Sequence, residues 1–188
     1  GGIVAAPIFQ VIAAAAMALS EPGTGSDISG LKTTATKDDN HYVIRGSKQW
    51  ITNGQSANVY VVWAQTDATA GRSGVRGFIV ARGTAGLVPG RKETKLGIRA
   101  SSTTELHLDN VEVPVENVLG EVGKGYKVSI ETLNEGRIGI RAQMIGGAGG
   151  ALEAAGPSVT ERRQLRQATG HLPAVHFQLP PAPPGPAR

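Results

Sequence analysis

From Leu31 to Pro114 the chain runs as short β-type segments of apolar and polar residues, separated by turn residues. Leu31–Thr36 and His41–Arg45 flank Asp38-Asp39-Asn40, a turn signal, so these two segments predict a hairpin. Gly46-Ser47 leads into a further segment, Lys48–Thr52, and Asn53-Gly54 after it is the strongest short hairpin dipeptide. Val59–Ala64 is continuously apolar, which predicts a buried strand, and Arg76–Ala81 predicts a second one after a polar loop. Thr104–Val113 alternates polar and apolar positions, the pattern of a strand with one wet face. Six or seven such strands predict a small antiparallel barrel or sandwich.

Beyond Pro114 the period lengthens. Tyr126, Ile130, Leu133, Ile138 and Met144-Ile145 recur at helical spacing and predict a helix from about Lys124 to Ala155, with Gly136 and Gly139 weakening it locally. Gly156-Pro157-Ser158 breaks that pattern. A helix of this length with a Gly-rich middle belongs in a bundle rather than alone, and Tyr126, Ile130 and Leu133 left uncovered would favour aggregation. Strands followed by helix define an α+β chain. The stretch 180–188, dominated by proline, cannot form a core and is expected to be disordered or polyproline-like.

Composition narrows the chemistry. With 40% hydrophobic and 18% charged residues in 188, the chain is expected to be a soluble globular protein of one or two domains. Its formal charge of +4 invites a nucleic-acid reading, but Arg162, Arg163, Arg166 and Arg188 against Glu161 supply most of it, and no basic face with interleaved aromatics supports nucleic-acid binding. The absence of Cys excludes disulfides, thiolate zinc sites and thiol nucleophiles. His41, His107, His171 and His176 show no ligand spacing with acids, so no metal site is expected. The run Val11–Leu19 looks like a signal-peptide core, but no basic residue precedes it, and it is read as belonging to a soluble protein without a membrane span. The glycine clusters at 120–125 and 146–150 neither follow a predicted strand nor open a βαβ unit, which argues against nucleotide loops, and no Gly-x-Ser-x-Gly elbow is present.

Two segments carry candidate chemistry. In Leu19-Ser20-Glu21-Pro22-Gly23-Thr24-Gly25-Ser26-Asp27, successive backbone N–H groups, hydroxyls and glycines could form a donor-rich nest for carbonyl or phosphate oxygens. A plain surface turn capped by Asp27 satisfies the same residues and is favoured on spacing alone. In Trp50-Ile51-Thr52-Asn53-Gly54, an indole with a hydroxyl two residues on suits a flat heteroaromatic ligand that needs stacking and a hydrogen bond. Taken alone, Trp50 is better read as core, as is Trp63.

In order and separation, the segments LSEPGTGSD (19–27), KQWITNG (48–54), 95–127 and 132–155 resemble the acyl-CoA dehydrogenase family, over about residues 16–155 and closest to its short-chain or branched-chain members. The resemblance implies residues 1–16 as a remnant of an N-terminal helical domain, a middle β-barrel domain over 17–120 that binds flavin and acyl-CoA, and the start of a C-terminal helical bundle over 121–179. It implies FAD as cofactor, held by Met17, Leu19, Ser20, Gly25, Ser26, Trp50, Ile51 and Thr52, with Arg162 and Gln164 contacting the flavin diphosphate across a subunit interface. Trp50 would pack on the ring system, and Thr52 would hydrogen-bond near N5, the hydride acceptor. Ser26, Thr66, Asn134 and Arg137 would meet the acyl-CoA. The implied reaction is α,β-dehydrogenation of an acyl-CoA thioester to the 2-enoyl-CoA, as in fatty acid β-oxidation. Its implied setting is a homotetramer served by an electron-transfer flavoprotein, in the bacterial cytoplasm or the mitochondrial matrix.

No catalytic base is assigned. Most family members carry the catalytic Glu beyond the point corresponding to residue 188, and a minority carry it where Gly136 stands here. Glu135 lies roughly 100° away around the helix. The chain is therefore expected to be a fragment without dehydrogenase turnover. The alternatives are a non-catalytic remnant of the family or a flavin-dependent monooxygenase of the same fold. The family pattern after Gln164 is Phe-Gly-Lys-Pro-Leu, but Leu165-Arg166-Gln167-Ala168-Thr169 stands here, followed by a return to pattern at Ala174–Leu179. One inserted base in plausible codons for Gln-Phe-Gly-Lys-Pro-Leu produces that change, so a frame slip in the gene is expected.

Overall fold

The computed structural model describes residues 15–176; residues 1–14 of the expected 1–16 remnant, residues 177–179 of the return to pattern at Ala174–Leu179 and the Pro-rich tail lie outside these residues, and Ala15 and Ala16 of the expected remnant stand in a strand. Two compact units divide the described residues, 15–132 and 133–176.

The first unit is built on eight strands: β1 (Ala15–Ala18), β2 (Thr34–Asp38), β3 (His41–Thr52), β4 (Val59–Gln65), β5 (Val75–Ala81), β6 (Leu87–Lys92), β7 (Thr103–Pro114) and β8 (Val118–Leu119). They form one sheet in the order β6-β7-β3-β2-β4-β5-β8, with β1 added beside β4. The expected antiparallel arrangement holds for most pairs, but β4 receives two parallel neighbours on one edge. β1 pairs along residues 59–62, and β2 meets it at Gln65. The sheet curls so that Tyr42 of β3 stacks edge-on against Phe78 of β5, ring centroids 5.1 Å apart, around a core that includes Ile44, Tyr60, Val62, Leu106 and Val111. The α+β class read from the sequence is the observed one.

The hairpin predicted at Asp38–Asn40 is present, with Asp38 opposite His41. Gly46-Ser47 does not interrupt the strand. β3 runs unbroken from His41 to Thr52, and its register against β7 shifts between Ile44 and Gly46. At Gly46, φ is 149° and a Cβ would sit 2.8 Å from the Thr33 Cα, so the glycine marks a bulge pressed against the chain entering β2. Asn53-Gly54 makes no hairpin either, since β2 lies between β3 and β4. Asn53 is left-handed at φ 60°, its carbonyl accepts from the Ser56 and Ala57 N–H groups, and Tyr60 Oη donates to the Gly54 carbonyl at 2.7 Å. The dipeptide turns the chain out of β3 into a crossover.

Helix α1 (Gly125–Glu161) begins in the first unit, within one residue of the predicted start. There Trp63 Nε1 donates to the Gly125 carbonyl at 3.3 Å, which ties the start of the helix to β4. Tyr126, Ile130 and Leu133 are half-buried, not uncovered; the exposed large apolar residues of the helix lie further on, at Ile138, Ile140, Met144, Ile145 and Leu152. The helix passes through Gly156-Pro157-Ser158 to Glu161, a correction to the predicted break. Pro157 withdraws one donor from the ladder, and local bonds hold the following turn: the Thr160 hydroxyl donates to the Pro157 carbonyl at 2.8 Å and the Arg162 N–H to the Ser158 carbonyl at 3.0 Å. A small hairpin follows in the second unit, β9 (Arg163–Gln164) against β10 (Gln167–Ala168).

Candidate functional site

The segment 19–30 is a built loop. Glu21 and Thr24 close a turn over Pro22-Gly23 through two backbone bonds, Glu21 N–H to the Thr24 carbonyl at 2.8 Å and Thr24 N–H to the Glu21 carbonyl at 3.2 Å. Asp27 accepts from the Ser29 hydroxyl at 2.5 Å, and that bond holds its carboxyl below the usual carboxylate range. Gly25 and Ser26 at its outer bend are exposed, whereas Leu19 is buried and Ser20 half-buried. The loop joins β3 where the Gln49 N–H donates to the Ser20 carbonyl at 2.9 Å.

One residue beyond Gln49 the strand changes phase. A second register shift, between Lys48 and Ile51, puts Trp50 at φ 62° and leaves it 58% exposed, while Ile51 turns inward and Thr52 outward. A plain two-residue alternation would have carried Trp50 to the inner face with Tyr42, Ile44 and Lys48. The bulge re-aims it, so the core reading of Trp50 is corrected. Trp63 is buried as that reading expects. A bulky residue held left-handed is a sparsely populated conformation of the kind that clusters at ligand sites. The exposed indole, with the exposed Thr52 on the same edge and Ser20 on the adjoining chain, suits a flat ring system carrying polar edge atoms.

Sequence reasoning missed what lies beneath this edge. Lys48 is wholly buried, and its ammonium donates to a Glu21 carboxylate oxygen at 2.7 Å and to the Leu19 carbonyl at 3.1 Å. The Glu21 carboxylate also accepts from the backbone N–H groups of Lys32 at 2.6 Å and Thr33 at 3.0 Å. Burial works against the Glu21 charge, but Lys48 and these donors outweigh it and leave the carboxyl below its usual value. Burial also pulls the Lys48 ammonium down to about 8, against the opposing pull of Glu21. The signal was present in β3: Lys48 shares the phase of Tyr42 and Ile44, and a lysine in an inward phase calls for a buried partner.

The other candidates are dispersed. Thr66 closes the neck of the 66–74 loop, its hydroxyl donating to the Gly74 carbonyl at 2.9 Å, and that loop lies beside the Ile28–Gly30 turn that follows Ser26. The Arg72 guanidinium, from the same loop, stacks 4.9 Å from the centroid of the Tyr126 ring. In the second unit, Asn134 and Arg137 are exposed one turn apart on α1, and Arg137 donates to Asn134 Oδ1 at 2.8 Å. Arg162 and Gln164 are exposed at the C-terminal end of α1 and in β9. Met17 lies within β1, paired with Val61.

Residues 16–111 match the model of the acyl-CoA dehydrogenase middle domain, and residues 123–180 match that of the acyl-CoA dehydrogenase C-terminal domain. The chain belongs to the acyl-CoA dehydrogenase family. It is 51% identical over 147 residues to the mitochondrial short/branched chain specific acyl-CoA dehydrogenase of Rattus norvegicus, which covers 78% of this chain and 34% of the relative. The structure of butyryl-CoA dehydrogenase from Megasphaera elsdenii superposes with a TM-score of 0.83 at 44% identity, covering 88% of this chain and 43% of that one. A glutaryl-CoA dehydrogenase from Mycobacterium smegmatis, solved in complex with FADH2, superposes with a TM-score of 0.80 at 35% identity, over 88% of this chain and 41% of that one. The chain thus spans less than half the length of each of these relatives.

Proposed function

We propose that this chain carries the flavin edge and a portion of the acyl-CoA surface of an FAD-dependent acyl-CoA dehydrogenase, with residues 17–120 as the binding β-domain. The observation that carries the reading is the outward turn of Trp50 at a bulge, beside Thr52 and bonded through Gln49 to the Ser20 loop. Bound FAD would supply the two-electron acceptor for α,β-dehydrogenation of a thioester. The residues named here would bind and orient it: Trp50 against the ring plane, Thr52 and Ser20 as hydroxyl donors at its polar edge, and Met17, Leu19, Gly25, Ser26 and Ile51 as the surrounding wall. Arg162 and Gln164 would meet the diphosphate. Ser26, Thr66, Asn134 and Arg137 would meet the acyl-CoA, Thr66 by accepting at a hydroxyl whose proton is directed to Gly74.

The whole protein is proposed to act on a short or branched acyl-CoA as a homotetramer, passing electrons to an electron-transfer flavoprotein, in the bacterial cytoplasm or the mitochondrial matrix. Among the described residues no helix is long and apolar enough to cross a membrane. For the 188-residue chain itself we propose binding without turnover. Gly136 offers no carboxylate, and Glu135 is exposed on another helix face.

Titrating the purified chain with FAD tests both binding and turnover. Uptake of FAD with quenching of Trp50 emission, and no dye reduction on adding butyryl-CoA, is the expected result. No uptake overturns the flavin reading, and butyryl-CoA-dependent dye reduction overturns the absence of turnover.

A further inference from the structure

We infer that Glu21 and Lys48 are positioning residues, which hold the Leu19–Thr24 loop in register with Trp50–Thr52 so that both borders of the flavin edge keep one geometry. The inference rests on the flavin reading of that edge.

Three observations lead to it. Lys48 stands two residues before Trp50 on β3, and its ammonium bonds both the Glu21 side chain at 2.7 Å and the Leu19 main chain at 3.1 Å. The Glu21 carboxylate also accepts from the N–H groups of Lys32 and Thr33, so one carboxylate links the loop to the chain entering β2 and to β3. Between them the Gln49 N–H reaches the Ser20 carbonyl at 2.9 Å. Ser20 is thus next to Glu21 in the chain, and Trp50 is two residues from Lys48. An ion pair is a costly device for packing alone, because apolar residues of similar volume fill such a space as well or better. What the pair adds is direction: charge-assisted bonds to fixed backbone groups define where the loop must sit. Burial that draws the Lys48 ammonium down to about 8 marks the cost of keeping it there.

A role in packing alone and a role in positioning predict different results. Lys48→Met should weaken FAD binding by tenfold or more and speed amide exchange at Gln49 by a similar factor. Val111→Ala, also in the core of the first unit but on β7, should lower the melting temperature yet leave both quantities at the parental values, measured where each variant is folded. Should Lys48→Met fail to fold, the Glu21→Gln/Lys48→Met pair, which leaves no lone buried charge, is read in the same way. The inference is overturned if the lysine variant keeps either the parental FAD affinity or the parental exchange rate, or if Val111→Ala shifts both as much. A parent chain that takes up no FAD overturns the flavin reading together with this role. A parent and a Lys48→Met variant that bind FAD equally overturn the role alone.

Discussion

The Lys48 ammonium lies 2.7 Å from the Glu21 carboxylate with both side chains shut off from solvent, 27 residues apart in sequence and beneath the edge of the candidate site. Their titration contributes to the pH dependence of folding. Glu21 ionises below its ordinary 4.5 when folded, so its contribution to stability is present above that value and is lost as the pH falls through the folded one. Lys48 is drawn from 10.5 to about 8 by burial, so over that interval the unfolded chain binds more protons and the lysine makes the fold more stable as the pH rises. Urea midpoints of the parent should show a rising contribution between those values that Lys48→Met lacks, and Glu21→Gln should flatten the acid limb.

Two tryptophans should respond in opposite ways to truncation. Trp63→Ala removes a buried ring that also bonds the Gly125 carbonyl and should cost about 3–5 kcal/mol. Trp50→Ala removes an exposed ring and should change stability by no more than about 0.5 kcal/mol, while abolishing the quenching expected on FAD binding. Thermal denaturation with flavin titration checks both. A large stability loss for Trp50→Ala would return that residue to a packing role.

Helix α1 offers a second contrast. A Cβ at Gly125 would lie 2.5 Å from the Val75 carbonyl oxygen and 2.7 Å from the Arg76 Cα, so Gly125→Ala must push the helix start off β5. A loss of about 1–3 kcal/mol is expected. Gly139 has open space where its Cβ would stand, and there alanine should add about 0.5–1 kcal/mol through helix propensity. Denaturant midpoints that move in the same direction for both variants would contradict this difference.

The strands with strong apolar runs or clean alternation, such as β4 and β7, were legible because burial on one or both faces imposes the period. Pairing was legible across the Asp38–Asn40 turn but not beyond it, since Asn53-Gly54 serves a crossover as well as a hairpin and local composition does not record which strand arrives alongside. β6 was hidden by Pro89 and Gly90, and β1 by an alanine-rich run that also fits a helix or a signal-peptide core. At the candidate site, the residue types of the Ser20 loop and of Trp50–Thr52 were visible in sequence. The bulge that exposes Trp50 was not, because it depends on the register with β7. The buried pair was half visible: Lys48 keeps an inward phase, but its partner comes from a loop with no period to read.

The β9–β10 hairpin carries a last prediction. Its two loop residues, Leu165 and Arg166, both lie in the left-handed region at φ 49° and 65°, the type I′ pattern that favours Asn-Gly. The Phe-Gly of the pattern expected from the family resemblance would fall at these positions, so the second left-handed residue would coincide with a glycine that this chain lacks. A left-handed conformation costs an ordinary L-residue roughly 1–2 kcal/mol, and glycine's greater freedom when unfolded offsets some of the relief. Arg166→Gly should therefore stabilise the hairpin by about 0.5–1 kcal/mol, leaving the bond from Arg163 Nη2 to the residue-166 carbonyl in place. Local amide protection at Gln164 and Gln167 reads the effect. Loss of protection in the glycine variant would mean that Arg166 is adapted to its turn.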